Sequence, residues 1–383
     1  MPVSDPKRVV LGMSGGVDSS VAAKLLKEQG HEVIGVTLKV WEEEDESTVS
    51  KRWQERGCCK VGMARHVAEL LGISHQVIDT RERFQKGVIE DFIGGYIEGT
   101  TPNPCVRCNE RVKFGGLFQV ADELGADYIA TGHYANIRHD EGGTPFLVRG
   151  QDVKKDQSYF LYRIPPSWLS RMMFPLGDMG KPDVWKEAEA MGLPVDELKE
   201  SQEICFVTQG DYRQFLKQHA PQASIPGTFV DVKGKELGQH QGVAFYTPGQ
   251  RKGLGISGGS RLYVQRVDPE MNMVVLGSAE DLDSRECLVS DLNIFSPETL
   301  RNASKIDVKF RYSSPPVPAT HRWAGSPSMK IMFDVPVRAL SPGQSAVFYL
   351  GDRVLGGGII QVTTPKKSLQ MCEEPTSTKT LTR

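Results

Sequence analysis

Arg8-Val9-Val10-Leu11-Gly12-Met13-Ser14-Gly15-Gly16-Val17-Asp18-Ser19-Ser20 decides the fold of this chain. Val9 to Leu11 read as a strand, and Val21-Ala22-Ala23-Lys24-Leu25-Leu26 read as a helix. A glycine-rich turn joins them. The first N–H groups of a helix have no partner within it, and the helix dipole favours negative charge there. Strand, glycine turn and helix together make an anion site. Gly15 and Gly16 let the backbone approach a phosphate, and Ser14, Ser19 and Ser20 add hydroxyl donors. No Gly-Lys-Ser/Thr follows, so the turn is not a Walker A loop. It also lacks the Gly-x-Gly-x-x-Gly spacing of dinucleotide turns.

The 383 residues suit two or three domains. A 39% hydrophobic and 25% charged composition is that of a soluble globular protein. No apolar run approaches the ~20 residues of a membrane span, and the N-terminus does not resemble a signal peptide. A cytoplasmic location without a membrane partner is expected. The seven cysteines are odd in number, so they read as reduced thiols rather than a disulfide framework. A net charge of −2 argues against a broad basic surface and leaves room for a local basic groove.

Strand-like and helical segments alternate after the first helix. Val33–Leu38, His75–Asp79 and Tyr128–His133 read as strands; Val61–Leu71 and the run from Phe114 to Leu124 read as helices. This implies an α/β fold with a doubly wound, mostly parallel sheet over residues 1–210. Ligands in such sheets sit at the carboxyl ends of strands, where the glycine loop, Leu38 and Gly132-His133 all fall. Helices at 181–191 and 211–218 follow. From about Gly227 short β runs dominate, including Val243–Tyr246. Residues 211–284 read as a small β-rich domain, 285–362 as an antiparallel β-barrel, and 363–383 as a disordered tail.

Thr101-Pro102-Asn103-Pro104-Cys105-Val106-Arg107-Cys108-Asn109 is the second informative stretch. Its prolines and asparagine read as an extended or turned loop. Cys105 and Cys108 reach one metal or each other. No second pair completes a zinc ribbon, since Cys58-Cys59 are adjacent. Cys205, Cys287 and Cys372, each taken alone, read as structural thiols.

In order, Ser-Gly-Gly-Val-Asp-Ser, the Thr-Pro-Asn-Pro stretch ending at Cys108-Asn109, Ala130-Thr131-Gly132-His133-Tyr134, Lys155-Asp156-Gln157-Ser158-Tyr159-Phe160-Leu161, Glu203-Ile204-Cys205-Phe206, Tyr246-Thr247-Pro248-Gly249-Gln250 and Ser341-Pro342-Gly343-Gln344 follow one another. The first resembles the PP-loop of ATP pyrophosphatases, whose domains are adenine nucleotide α-hydrolase-like. The whole series, from Val9 to about Gly358, resembles the tRNA-specific 2-thiouridylases. That resemblance implies ATP, with Mg2+, as cofactor and a tRNA with a wobble uridine as substrate. AMP would be transferred to the C2 oxygen, pyrophosphate released, and sulfur put in its place. It assigns ATP binding to Gly12, Met13, Ser14, Gly15, Gly16, Val17, Asp18, Ser19, Leu38 and Gly132. Cys108 would be the nucleophile, and Cys205 would carry a persulfide loaded by a sulfur-carrier protein or cysteine-desulfurase relay. Asn103, Pro104 and Cys105 would face the target base. His133, Lys155, Asp156, Gln157, Arg311, Tyr312 and Gln344 would touch tRNA.

Position 105 is aspartate in many members of that family and cysteine here. Cys105, Cys108 and Cys205 therefore leave two schemes open: a two-cysteine persulfide relay, or three thiolates holding an iron–sulfur cluster. Two other functions compete. One is a different PP-loop tRNA-modifying or amide-forming enzyme; the other is a tRNA-binding protein with a structural metal site.

Overall fold

The computed structural model describes residues 5–41, 61–195, 204–207, 211–256, 261–325 and 327–361. Cys58-Cys59, Glu203, Cys372 and the segment 363–383 lie outside them. Strand β1 (Arg8–Gly12) occupies the middle of a five-stranded sheet. Its companions are β2 (Glu32–Lys39), β3 (Ser74–Asp79), β4 (Tyr128–Thr131) and β7 (Met172–Met173), in the order β3-β2-β1-β4-β7. All four pairings are parallel. Val9 and Leu11 face one layer, with Val21, Ala22, Leu26, Val184 and Ala188. Val10 faces the other, with Leu117, Phe118, Ala121 and Ile129. Alternate residues of one strand thus serve two helical layers, the doubly wound arrangement expected. The strand order reverses between β1 and β4, which opens a crevice at their carboxyl ends.

The middle of the chain forms a four-stranded sheet, β10-β11-β8-β9, from β8 (Gly227–Asp231), β9 (Glu236–His240), β10 (Tyr263–Asp268) and β11 (Met273–Gly277). Val243–Phe245, read above as a strand, is a 3-10 turn. Gly242 before it has φ 145°, and a Cβ there would lie 1.9 Å from the Ala223 carbonyl oxygen. That backbone conformation ends any extended run.

Strands β12 (Asp283–Ile294), β13 (Ile306–Lys309), β14 (Val317–Trp323), β15 (Met329–Arg338), β16 (Ser345–Leu350) and β17 (Arg353–Ile360) run in the order β12-β15-β14-β13-β16-β17. Pairing of β12 with β17 closes them into an antiparallel barrel. The hairpin β5 (Ala135–His139) and β6 (Pro145–Arg149) leaves the end of β4 and joins this sheet through Val148 opposite Arg353. One apolar cluster includes Phe118 of the first unit, Phe229 of the second and Val347 of the barrel.

Candidate nucleotide and thiol site

The glycine loop runs from Gly12 to the helix Val17–Glu28, with Gly16 as its N-cap. Gly15 has φ 74°, the left-handed region that glycine adopts without strain. The Ser14 backbone N–H donates to Ser19 Oγ at 3.2 Å, and Ser19 Oγ donates to the Gly16 carbonyl at 3.0 Å. Ser20 Oγ donates to the same carbonyl at 2.9 Å. Met13 is tied to β2 by its N–H on the Val36 carbonyl and its carbonyl on the Thr37 hydroxyl. These internal bonds define the shape of the loop. Leu38, at the end of β2, packs against Gly116, and Leu117 closes on Gly12.

Gly132 follows β4 and abuts the first turn of the same helix. A Cβ there would stand 2.8 Å from the Asp18 carbonyl carbon and 2.9 Å from the Ser19 nitrogen. Asp18 Oδ1 accepts from the Tyr134 hydroxyl at 2.8 Å and from Lys181 Nζ at 2.7 Å. Next to Gly132, His133 shares a 2.8 Å hydrogen bond with the Thr131 hydroxyl and packs against Phe114 and Phe174. Burial, with the Lys113 ammonium acting in the same direction, pushes its pKa down to about 3. The imidazole is neutral at physiological pH, so any contact it makes with RNA is not that of a cation.

The Thr-Pro-Asn-Pro stretch departs from the extended reading at Pro104. Pro104–Cys108 is helical, with Asn103 as N-cap accepting from the Val106 N–H at 3.3 Å and proline in the first turn. Asparagine at the cap and proline at N1 are helix-start residues. The helix continues through a π-helical segment, Asn109–Lys113, into Phe114–Glu123. One helical run thus joins Cys108 to Leu117 and the phosphate loop. Cys105 is exposed, Cys108 is buried, and Cys205 is half-buried beside Phe206, which stacks among Phe84, Phe92 and Phe215. Among the described residues no three Cys, His, Asp or Glu side chains gather around a common point. Cys287 lies inside the barrel, where burial pushes its thiol up to about 12.

The barrel reaches this loop. Gln344 Nε2 donates to the Thr101 carbonyl at 3.0 Å, and the Thr101 N–H donates to the Pro342 carbonyl at 2.7 Å. A cavity of about 420 Å³ opens there, lined by Asn103, Arg107, Thr100, Gly343 and Ile360 among others. Tyr312 is exposed and stacks on Phe160, 4.6 Å between ring centroids. Burial pushes the Arg311 pKa down, and its guanidinium donates to the Ala339 carbonyl. Asp156 is turned inward: its carboxylate accepts from the Gly150 and Ser158 N–H groups and from the Ser158 hydroxyl. It shapes the turn between Lys155 and Gln157.

Three family models cover the chain: tRNA methyl transferase HUP domain over residues 7–209, tRNA methyl transferase PRC-barrel domain over 213–278, and Aminomethyltransferase beta-barrel domain over 284–360. A tRNA-specific 2-thiouridylase of Clostridioides difficile (strain 630) is 46% identical over 359 residues, 93% of this chain and 98% of that one. A tRNA-specific 2-thiouridylase of Moorella thermoacetica is 47% identical over 357 residues, 92% of this chain and 99% of that one. The chain belongs to the tRNA-specific 2-thiouridylase family. Its PP-loop domain is the parallel sheet with the phosphate loop at its reversal point, and that fold binds ATP.

For this 2-thiouridylase family member, sequence reading missed Tyr134 as a side-chain donor and missed Lys181 altogether. Lys181 is only 6% exposed. It opens the helix Lys181–Ala190, where the helix dipole opposes a cation. A lysine directly before proline at a helix start was the available signal. It also missed Arg163, whose guanidinium bonds Glu110 at 2.9 Å and Asp291 at 3.0 Å. Arg107 joins the same two carboxylates, so the thiol-bearing helix is bolted to β12 of the barrel.

Proposed function

We propose that this chain catalyses ATP-dependent 2-thiolation of the wobble uridine in tRNA anticodons. The observation that carries the reading is the helical run from Cys108 to the phosphate loop. It connects Cys108 to Leu117, whose side chain closes on Gly12 of the loop. Family membership over nearly the whole chain supports the same substrate.

A carbonyl oxygen is a poor leaving group. Transfer of AMP to the C2 oxygen makes it a good one, while the loop from Gly12 to Ser19 holds the departing pyrophosphate. A divalent cation bound with the nucleotide would be held mainly by phosphate oxygens and water, with the Asp18 carboxylate nearby. The uridine must leave its stack to expose C2, and the cavity beside Asn103 is large enough for a pyrimidine. Leu38 and Gly132 flank the adenine side. Lys155, Gln157, His133, Arg311, Tyr312 and Gln344 form the RNA-facing set around Asn103, Pro104 and Cys105.

Cys205 receives sulfur as a persulfide from a carrier protein or cysteine-desulfurase relay in the cytoplasm. The terminal persulfide sulfur attacks C2 and AMP leaves. The Cys108 thiolate then attacks Cys205 Sγ, which breaks the sulfur–sulfur bond and frees 2-thiouridine. The resulting Cys108–Cys205 disulfide is reduced by an external dithiol. The direct test is AMP release from α-labelled ATP with two tRNA transcripts, one with and one without a wobble uridine. AMP formed only with the first supports the reaction; AMP formed equally with both refutes it.

A further inference from the structure

Asp18 is the acidic residue of the phosphate loop, and two buried donors meet on one of its oxygens. Tyr134, 2% exposed, donates its hydroxyl at 2.8 Å; Lys181, 6% exposed, donates Nζ at 2.7 Å. The Lys181 ammonium also lies over the rings of Tyr134 and Trp185, at 5.6 and 5.2 Å. An unneutralised Asp18 would repel the phosphates of ATP. Lys181 removes that repulsion, which accounts for a cation kept at a helix N-terminus.

Both donors lead to one place. The Tyr134 N–H donates to Gln157 Oε1 at 3.0 Å, and the Gln157 N–H donates to the Tyr134 carbonyl at 2.8 Å. The Lys181 N–H donates to Asp152 Oδ2 at 3.0 Å, and this bond heads the causes that hold the Asp152 carboxyl below its ordinary range. Asp152 Oδ1 accepts from the Lys154 N–H at 3.0 Å. Residues 151–157 are thus tied to the phosphate loop by two separate routes, Gln157–Tyr134–Asp18 and Asp152–Lys181–Asp18.

We propose that Tyr134 and Lys181 are positioning residues that make the phosphate loop and the 151–157 loop one unit, so that ATP and tRNA tighten each other's binding. This rests on the reading of Lys155 and Gln157 as RNA contacts. Ordering either loop fixes the Asp18–Tyr134–Lys181 junction that joins it to the other, and such coupling is reciprocal.

The test is titration of α,β-methylene-ATP, which cannot be cleaved to AMP, with and without a saturating wobble-uridine tRNA transcript. In the wild type, tRNA should tighten the analogue by about fivefold or more, and the analogue should tighten tRNA by the same factor. Tyr134→Phe keeps the ring and removes the hydroxyl. Its tightening should fall below about twofold while its thermal midpoint stays near that of the wild type. Lys181→Met should lose the coupling as well. A wild type without coupling overturns the proposal. So does a Tyr134→Phe protein that binds both ligands more weakly by equal factors and keeps the full ratio, because that is a structural defect only. A wild type that couples its ligands yet forms no 2-thiouridine refutes the proposed reaction and leaves the coupling standing.

Discussion

His133 and Gly132 show how adjacent residues acquire different tasks from packing. The imidazole is pushed down to about 3 by burial and by Lys113, against about 6.5 in an unfolded chain. Below pH 6.5 the unfolded chain takes up a proton that the native imidazole refuses. The stability held above pH 6.5 is therefore lost progressively as pH falls toward 3. His133→Gln should flatten this loss, measured as a smaller drop in urea midpoint between pH 7 and pH 4.5 than in the wild type. An unchanged drop would show that His133 titrates normally. For Gly132→Ala, the new methyl meets the backbone of Asp18 and Ser19. The first turn of the loop helix must move, and ATP affinity should fall about tenfold by equilibrium dialysis, the scale of a tight overpacking. The glycine was legible in sequence because it ends a strand. The neutrality of His133 was not, because Phe114, Phe174 and Lys113 come from distant segments.

The short helix Pro104–Cys108 depends on its cap. Asn103→Ala should cost about 1 kcal/mol in chemical denaturation and lower thiolation more than it lowers ATP binding. Sequence reading weighed Pro102 and Pro104 as breakers. It did not register that asparagine followed by proline begins a helix as readily as it makes a turn. The ion-pair lattice that holds this helix was not legible at all, since Arg107, Glu110, Arg163 and Asp291 span nearly half the chain. Asp291 itself sits at φ 50°, beside the irregular pairing of β12 with β17. Arg163→Met removes the more buried of the two guanidiniums that Glu110 and Asp291 share. It should destabilise the fold by about 2 kcal/mol in urea denaturation. Arg163→Lys should recover only part of this, because one ammonium does not serve two carboxylates as a planar guanidinium does. Full recovery by lysine would show that charge alone matters.

Across the molecule, three successive units were visible as changes in pattern: alternating strands and helices, then short β runs, then strands at short spacing. Their order follows from local periodicity. What periodicity does not carry is that β5 and β6, which leave the first unit, extend the sheet of the barrel through Val148 and Arg353. The Gln344 bonds to the Thr101 and Pro102 carbonyls tie the same two units at the thiol loop. The core shared by Phe118, Phe229 and Val347 predicts one cooperative thermal transition in calorimetry rather than separate melting of sheet domain and barrel. On the same side, Tyr312 of the barrel stacks on Phe160 of the first unit. Mass spectrometry of nucleosides from a wobble-uridine tRNA incubated with this chain, ATP and a persulfide donor, with AMP measured in parallel, tests the proposed thiolation. The wild type should form one 2-thiouridine per AMP, and Cys108→Ser should form none. Undiminished 2-thiouridine with Cys108→Ser, or AMP release by the wild type without 2-thiouridine, would contradict the proposed reaction.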